Sequence, residues 1–209
     1  MKLKLPEGLF KAYLFDCDGT IVNSMPLHYV AWKKALDECG CEFPEDVFYA
    51  WGGMPAAEIV ATLSAQQGLV LNEEDLVHRK ELLYYEMLPQ LQAVPEVLEQ
   101  ITHNYARGAA SIPMAVVSGS TRDSVTKSLE ILGILDHFET LVCAGDYTRS
   151  KPDPEPFLMA AERLGVAPAH CLVFEDTEMG IQSATAAGMA SVKILQPWER
   201  EGELAHSPE

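Results

Sequence analysis

The chain has 209 residues, a length that suits one large domain or one domain carrying a smaller inserted one. Its apolar fraction of 48 % is sufficient for a substantial core and excludes a disordered chain. With 15 basic against 31 acidic residues, the net charge of −16 argues against partners rich in phosphate, namely nucleic acid and acidic membranes.

The sequence also lacks the marks of a secreted or membrane protein. No apolar run approaches the roughly 18 residues that span a bilayer, and the N-terminus has no signal-peptide core. The five cysteines are an odd number and form no CxxC pair, which is typical of reduced thiols. We therefore expect a cytoplasmic protein with no membrane or nucleic-acid partner. Because no large apolar segment lacks a place in the fold, we expect a monomer.

Five short apolar runs without polar alternation predict strands that are buried on both faces, as in a parallel sheet. They span residues 12–15, 114–117, 140–143, 171–174 and 191–194. Helical patterns separate the later strands, at 96–107, 122–132, 155–164 and 178–187, and each is followed by a glycine that can end a helix. This alternation predicts an α/β fold with a doubly wound parallel sheet.

Roughly 75 residues after the first strand break this alternation. They contain helical patterns at 26–40, 56–68 and 73–88, punctuated by proline and glycine, and no convincing strand. We interpret residues 22–92 as an inserted helical cap domain, and residues 1–21 and 93–209 as the α/β core domain.

Residues suited to catalysis follow four of the five predicted strands. They are Asp16 and Asp18 after the first, Ser118 and Gly119 after the second, Lys151 after the third, and Glu175 with Asp176 at the fourth. Taken alone, each motif has an ordinary structural interpretation as a turn, a loop or a helix cap. Their occurrence at successive strand ends favours one shared site, because that edge of an open α/β sheet holds the active site.

The composition of this predicted site indicates phosphoryl chemistry. Four clustered carboxylates repel one another unless a cation lies between them, and all-oxygen ligands suit Mg²⁺. A lysine and hydroxyl donors beside a metal provide an environment for a phosphoryl group. One carboxylate can then attack phosphorus, while a second one, two residues later, transfers protons.

These motifs resemble those of the haloacid dehalogenase superfamily, in the group whose helical cap follows the first motif. The run from Asp16 to Thr20 matches its DxDGT motif, Ser118 its second motif, Lys151 its third, and the Glu-Asp pair at 175–176 its fourth. The resemblance covers the chain from about residue 13 to residue 194. Within the superfamily, the sequence is most similar to β-phosphoglucomutase-like proteins and related sugar phosphatases, such as fructose-1-phosphate phosphatases.

The resemblance implies a role for each matching residue. Asp16 would be the nucleophile that forms an aspartyl-phosphate, and Asp18 would protonate the leaving group and then activate water. Ser118, Gly119 and Lys151 would hold the phosphoryl group. The implied magnesium ligands are Asp16, Asp18 through its carbonyl oxygen, Glu175 and Asp176.

Three further residues of the predicted cap are candidates for substrate binding. The resemblance implies that His28 helps to organise Asp18, although an exposed helix histidine is an equal alternative. Lys80 matches a substrate-contacting lysine of the family, whereas most helix lysines are simply solvated. Gly53 belongs to a cap loop suited to a neutral sugar or polyol.

The same loop distinguishes two activities. The mutases of the family place an arginine there to hold a distal phosphate, and the aligned residue in this chain is Pro55, which has neither charge nor donor. We therefore expect a Mg²⁺-dependent phosphatase that acts on small sugar or sugar-alcohol monophosphates. The alternatives are a phosphosugar mutase and a non-catalytic phosphosugar-binding module.

Overall fold

A computed structural model describes residues 3–52 and 54–196 of the chain. In chain order, the strands and helices are β1 (Ala12–Phe15), α1 (Met25–Asp37), α2 (Glu45–Ala50), α3 (Ala56–Gln67), α4 (Glu73–Met87), α5 (Pro95–Tyr105), β2 (Met114–Thr121), α6 (Arg122–Ile131), β3 (Thr140–Ala144), α7 (Glu155–Arg163), β4 (Cys171–Glu175), α8 (Glu178–Ala186) and β5 (Ala190–Lys193). Short 3-10 turns lie at Leu88–Gln90, Gly108–Ala110, Leu135–His137 and Pro168–His170. The chain divides into two compact units, Met1–Val22 with Ala93–Glu209, and Asn23–Gln92.

The first unit is built on a five-stranded sheet with the order β3-β2-β1-β4-β5. All four strand pairs are parallel, and β1 lies in the centre, where Leu14 is opposite Ala115 of β2 and Val173 of β4. Helices flank this sheet, with α6 packed on β2 and β3, and α8 packed on β4 and β5. The predicted α/β fold with a parallel sheet is thereby confirmed.

The continuous apolar runs of the strands supply both faces of the sheet, because successive side chains point to opposite sides. On one face, Leu14 and Val173 belong to a buried cluster with Phe157 of α7 and Ala184 of α8. On the other, the ring of Phe15 is stacked on that of Phe174, with 4.4 Å between their centroids. Each such large buried side chain contributes about 1.5–3 kcal/mol to folding.

Two strands differ from the prediction by more than a shift of one residue at their ends. β2 continues to Thr121, four residues further than expected, and its register against β3 shifts between Val117 and Thr121. β5 is half-buried rather than buried, because it lies at the edge of the sheet and its Lys193 is exposed. The polar residues after Val117 therefore belong to an irregular extension of β2, which no apolar pattern marks.

The second unit consists of α1 to α4. α4 packs against α1 and α3, and its Tyr84 is fully buried, as is Leu36 of α1. Asn72 caps α4 by accepting a hydrogen bond of 3.3 Å from the backbone N–H of Asp75. The short helix α2 was not predicted, because six residues after Pro44 are too few to show a helical period.

Two passages of chain bound the inserted segment. In the sheet unit, Val22 forms an antiparallel bridge with Ala93, and the N–H of Val94 donates to the carbonyl oxygen of Ile21 at 2.9 Å. In the helical unit, the N–H of Asn23 donates to the carbonyl oxygen of Gln92 at 2.8 Å. The outgoing and returning chain segments are thus paired through their backbones.

No helix in the described ranges is long and apolar enough to cross a membrane. All five cysteines lie within those ranges, and each is a free thiol.

Candidate active site

The carboxyl ends of the three central strands bring the predicted acids together. Asp16 follows β1 directly, and its backbone N–H donates to the carbonyl oxygen of Phe174 in β4 at 2.9 Å. The chain then turns sharply, because the carbonyl oxygen of Cys17 accepts hydrogen bonds from the N–H groups of Ile21 and Val22, at 2.9 and 3.0 Å. This turn holds Asp16 and Asp18 at the middle of the sheet edge.

Lys151 is the cationic centre of the site. Its Nζ donates to Oδ1 of Asp16 at 2.6 Å, to Oε1 of Glu175 at 2.7 Å and to the carbonyl oxygen of Val117 at 3.0 Å. Burial by itself would lower the pKa of Lys151, but the two carboxylates outweigh it and raise that pKa well above its usual value. Lys151 therefore remains an ammonium ion beside Asp16.

Glu175 is placed to hold Lys151. Its Oε1 accepts from Lys151, and its Oε2 accepts from the backbone N–H and the hydroxyl of Thr177, at 2.7 and 2.9 Å. The side chain is 1 % exposed, and a Cβ on Gly180 would overlap its carboxylate. The absence of a side chain at Gly180 thus makes room for Glu175. The ion pair with Lys151 gives Glu175 a positioning role toward that ammonium ion.

Asp176 is fixed by neighbours on both of its oxygens. The hydroxyl of Thr20 donates to Oδ1 at 3.0 Å, and Nε2 of Gln196 donates to Oδ2 at 3.0 Å and to the carbonyl oxygen of Gly19 at 2.8 Å. A Cβ on Gly19 would overlap the Asp176 carboxylate, and its φ of +88° also favours glycine. The first motif and the fourth motif are therefore closely fitted to each other.

Buried carboxyl groups outnumber buried cations at this edge, an excess of acid that a divalent cation would balance. Burial raises the pKa of Asp16 to about 7, and Glu175 adds to that effect while Lys151 opposes it. Burial also raises the pKa of Asp176 well above its usual value, and the charge on Asp16 adds to this. Three buried carboxyl groups thus share one ammonium ion, so a cation would relieve the cost of ionising them.

The oxygen donors at this edge fit Mg²⁺, but not as a cluster of side chains. Within residues 3–52 and 54–196, no group of three or more His, Cys, Asp or Glu side chains is arranged to hold a metal ion. This finding concerns side chains alone, and the predicted ligand set, which includes the carbonyl oxygen of Asp18, stays a prediction. The donors that remain for a metal are the side chains of Asp16 and Asp176 and the carbonyl oxygen of Asp18, a set of hard oxygen ligands.

Asp18 and Ser118 are linked through Ser120. The hydroxyl of Ser120 donates to Oδ2 of Asp18 at 2.6 Å, and its backbone N–H donates to Oγ of Ser118 at 3.0 Å. The hydroxyl of Tyr147 donates to the carbonyl oxygen of Ser118 at 3.1 Å. Gly119, between the two serines, is exposed, and a Cβ there would meet no atom within 4 Å. Its predicted role thus depends on its backbone alone.

The helical unit holds its two candidate side chains in an aromatic environment. His28 is buried rather than exposed, and its ring is stacked on that of Tyr84, with 4.0 Å between centroids. Lys80 is also buried, and its Nζ donates to Oε1 of Glu81 at 2.7 Å. It lies 5.8 Å from the ring centre of Trp32 and 5.4 Å from that of Tyr84. Gly53 lies outside the described residues.

Sequence reasoning missed several residues that hold the predicted ones in place. They are Thr20, Ser120, Tyr147, Thr177, Gly180 and Gln196. Some carried a signal, because Thr20 and Ser120 stand within or beside recognised motifs and Thr177 precedes a predicted helix. Gln196 carried none, since its partner Asp176 lies 20 residues away.

Known proteins resemble this chain over most of its length. The family described as haloacid dehalogenase-like hydrolase matches residues 13–194. The chain is 32 % identical over 191 residues to a fructose-1-phosphate phosphatase of Escherichia coli, covering 88 % of this chain and 96 % of that protein. It is 29 % identical over 197 residues to a β-phosphoglucomutase of Bacillus subtilis, covering 89 % of this chain and 84 % of that one.

A solved structure supports the same conclusion for the fold. The crystal structure of a β-phosphoglucomutase from Clostridium difficile superposes with a TM-score of 0.79 and 24 % identity, covering 92 % of this chain and 87 % of the other. The fold is therefore consistent with the family match over residues 13–194 and with the sequence relatives. The chain belongs to the haloacid dehalogenase-like hydrolase family, and it is an enzyme of the phosphatase class.

Proposed function

We propose that this enzyme is a Mg²⁺-dependent phosphatase that hydrolyses small sugar or sugar-alcohol monophosphates through an aspartyl-phosphate. The observation that carries the proposal is the contact of 2.6 Å between Nζ of Lys151 and Oδ1 of Asp16. A buried ammonium ion there opposes the rise in the pKa of the nucleophilic carboxylate that burial causes, and it offsets the charge of an incoming phosphate. The E. coli relative named for fructose 1-phosphate supports the substrate class.

In the proposed reaction, a carboxylate oxygen of Asp16 attacks phosphorus and the bond between phosphorus and the sugar oxygen breaks. Asp18 gives its proton to that departing oxygen. Asp18 then takes a proton from water, which attacks the aspartyl-phosphate and releases inorganic phosphate and Asp16. The hydroxyl of Ser118 donates a hydrogen bond to the phosphoryl oxygens, and Lys151 neutralises their charge in both steps.

The residues that would hold Mg²⁺ are Asp16, Asp176 and the carbonyl oxygen of Asp18. When bound, the ion supplies positive charge to the phosphoryl oxygens as they approach the carboxylate. Thr20 and Gln196 keep Asp176 in place by donating to its two oxygens. Glu175 acts on the other side of the site, by holding Lys151.

The absence of an arginine from the first part of the helical unit favours hydrolysis over isomerisation. A mutase has to retain a bisphosphate by its distal phosphate, and the sequence contains no arginine between Asp18 and Arg79. Arg79 itself pairs with Glu38 at 2.7 Å. The B. subtilis relative named as a mutase keeps the isomerase as the alternative to be tested. The intact pair of Asp16 and Asp18 favours an enzyme over a binding module.

The test follows ³¹P resonances of the protein with Mg²⁺ and either fructose 1-phosphate or β-glucose 1-phosphate. We expect inorganic phosphate to accumulate, and Asp16→Asn to abolish its release while the protein stays folded by circular dichroism. Conversion of β-glucose 1-phosphate to glucose 6-phosphate, in the presence of a bisphosphate primer and without free phosphate, would establish a mutase. Substantial hydrolysis by Asp16→Asn would remove Asp16 from the nucleophile role.

We also propose that the enzyme acts as a monomer in the cytoplasm. Five free thiols support a reducing compartment, and the charge of −16 supports a small-molecule substrate rather than a nucleic acid or an acidic membrane. Sedimentation in reducing buffer tests the monomer directly.

A further inference from the structure

We propose that Ser120 is a positioning residue that orients Asp18 for proton transfer to the leaving oxygen. This inference rests on the proposed function, in which Asp18 is the proton donor. It concerns a hydroxyl that belongs to none of the four recognised motif positions. The structure places that hydroxyl 2.6 Å from Oδ2 of Asp18, across 102 residues of sequence.

The contact has the geometry of a strong hydrogen bond. A distance of 2.6 Å between Oγ of Ser120 and Oδ2 of Asp18 lies in the short range typical of a hydroxyl that donates to a carboxylate. Both residues are half-buried, so solvent competes less for the bond than it would at an exposed site. The Ser120 hydroxyl therefore restricts rotation of the Asp18 carboxyl group.

The backbone of Ser120 is itself held in place, which makes its hydroxyl a defined anchor. Ser120 lies in the irregular end of β2, where the register against β3 shifts between Val117 and Thr121. Its N–H donates to Oγ of Ser118 at 3.0 Å, and Ser118 is almost fully buried. One residue thus serves two neighbours by separate groups, its N–H for Ser118 and its hydroxyl for Asp18.

Because the hydroxyl of Ser120 donates to Asp18, its contribution to the reaction can be predicted. As the bond between phosphorus and the sugar oxygen breaks, its electron pair stays on that oxygen, and the Asp18 proton moves to it. With Oδ2 held by Ser120, the proton is favoured on Oδ1, and the same hydrogen bond strengthens as Asp18 becomes a carboxylate. In this first step, which kcat/KM measures, the benefit exists only when the leaving oxygen needs a proton.

The experiment compares kcat/KM of wild type and Ser120→Ala on two substrates in Mg²⁺. One is a sugar phosphate, whose alkoxide leaves only with a proton, and the other is 2,4-dinitrophenyl phosphate, whose phenolate leaves without one. General acid catalysis contributes about 10²–10⁴-fold, so loss of its positioning should lower kcat/KM for the sugar phosphate by about tenfold or more. We expect the value for the aryl phosphate to change less than about twofold by the same argument.

The alanine variant is selective, because it removes the hydroxyl and leaves the N–H that donates to Ser118. Equal losses on both substrates would therefore overturn the proposal, as would a faster reaction of Ser120→Ala with the sugar phosphate. The second result would mean that Ser120 holds Asp18 away from the leaving oxygen. Failure of wild type to hydrolyse either substrate would instead contradict the proposed function.

Three companion variants complete the design. Ser120→Thr keeps a hydroxyl and should retain most of the sugar-phosphate activity. Ser128→Ala is the matched control, because it deletes a buried serine hydroxyl that donates only within α6, to the carbonyl oxygen of Ser124 at 3.0 Å. In an Asp18→Asn background, Ser120→Ala should cause no further loss, since the two residues act as one unit. Additive losses in the double variant would contradict the coupling.

Discussion

At the scale of single residues, the site depends on a buried glutamate that does not touch the reacting atoms. Glu175 holds Lys151 at 2.7 Å, and its other oxygen is held by Thr177. Gly180 is the residue that leaves space for this carboxylate. A position in the first turn of a helix is therefore linked to the candidate nucleophile by three contacts, from Gly180 to Glu175, on to Lys151 and then to Asp16.

Replacement of Gly180 by alanine tests this constraint, because the direction in which the free energy of unfolding changes depends on it. Alanine in a helix normally stabilises a protein by up to about 1 kcal/mol relative to glycine. Here we expect destabilisation, because the added methyl group overlaps the Glu175 carboxylate. The free energy of unfolding from urea titration measures it. In a Glu175→Ala background the overlap is gone, so Gly180→Ala should become neutral or stabilising. A stabilising effect in both backgrounds would contradict the account.

At the scale of elements, the N-terminus of α8 is connected directly to the site. Thr177 caps this helix by accepting from the N–H of Gly180 at 3.1 Å, and the same hydroxyl donates to Glu175 at 2.9 Å. The helix cap and the hydrogen bonding of a buried charge thus share one side chain. By contrast, Thr121 caps α6 by accepting from the N–H of Ser124 at 3.3 Å, and its hydroxyl has no second hydrogen-bond partner among the described residues.

We expect Thr177→Ala to destabilise the protein more than Thr121→Ala does. Loss of a threonine cap costs about 0.5–2 kcal/mol, and Thr177→Ala also removes a donor from a buried carboxylate. Thermal unfolding of the two variants beside wild type measures the difference. Thr177→Ser keeps both hydrogen bonds and should recover most of the loss. Equal destabilisation by the two alanine variants would show that the bond to Glu175 adds nothing.

The elements differ in how far the sequence could predict them. The helices α6 to α8 were located within one residue at each end, because a polar start and a terminal glycine mark their limits. The sequence did not predict the end of β2, because the polar residues from Ser118 onward are typical of a loop. Gln196 could not be found either, because its contact with Asp176 arises only when β5 has returned beside β4. Local patterns reveal elements, whereas contacts between distant loops need the assembled sheet.

At the scale of the whole molecule, the site adds buried negative charge to a chain that already carries −16. Asp16, Glu175 and Asp176 are all buried, and Lys151 is the cation that contacts two of them. Without a divalent cation, folding places Asp16 and Asp176 where burial raises the pKa of each. Stability should depend on both pH and Mg²⁺.

The direction of the pH dependence follows from Asp16. Its pKa is raised from 3.8 to about 7, so the folded state keeps a proton that the unfolded state has lost. Its contribution is fully present below pH 4 and is lost as pH rises toward 7. We expect the unfolding midpoint of metal-free protein to fall across this window, and Mg²⁺ to raise it most at the upper end.

Differential scanning calorimetry between pH 4 and pH 8, with EDTA or with Mg²⁺, measures these shifts. Asp16→Asn is the matched variant, because it removes the titrating group and keeps the volume of the side chain. Its midpoint should vary less with pH and respond less to Mg²⁺. If the unfolding midpoint of metal-free wild type fell no more across this pH range than that of Asp16→Asn, the prediction would be wrong.

The paired chain passages at residues 21–23 and 92–94 have a consequence for how this protein can change over generations. Because Val22 and Ala93 are already neighbours, excising everything between them leaves ends that a tight turn could join without disturbing the strands. A gene could therefore exchange this segment as a cassette. Under the proposed function, Asp16, Asp18 and Lys151 carry the reaction, and all three lie outside this segment. Such an exchange during evolution would leave the residues that carry the reaction unchanged.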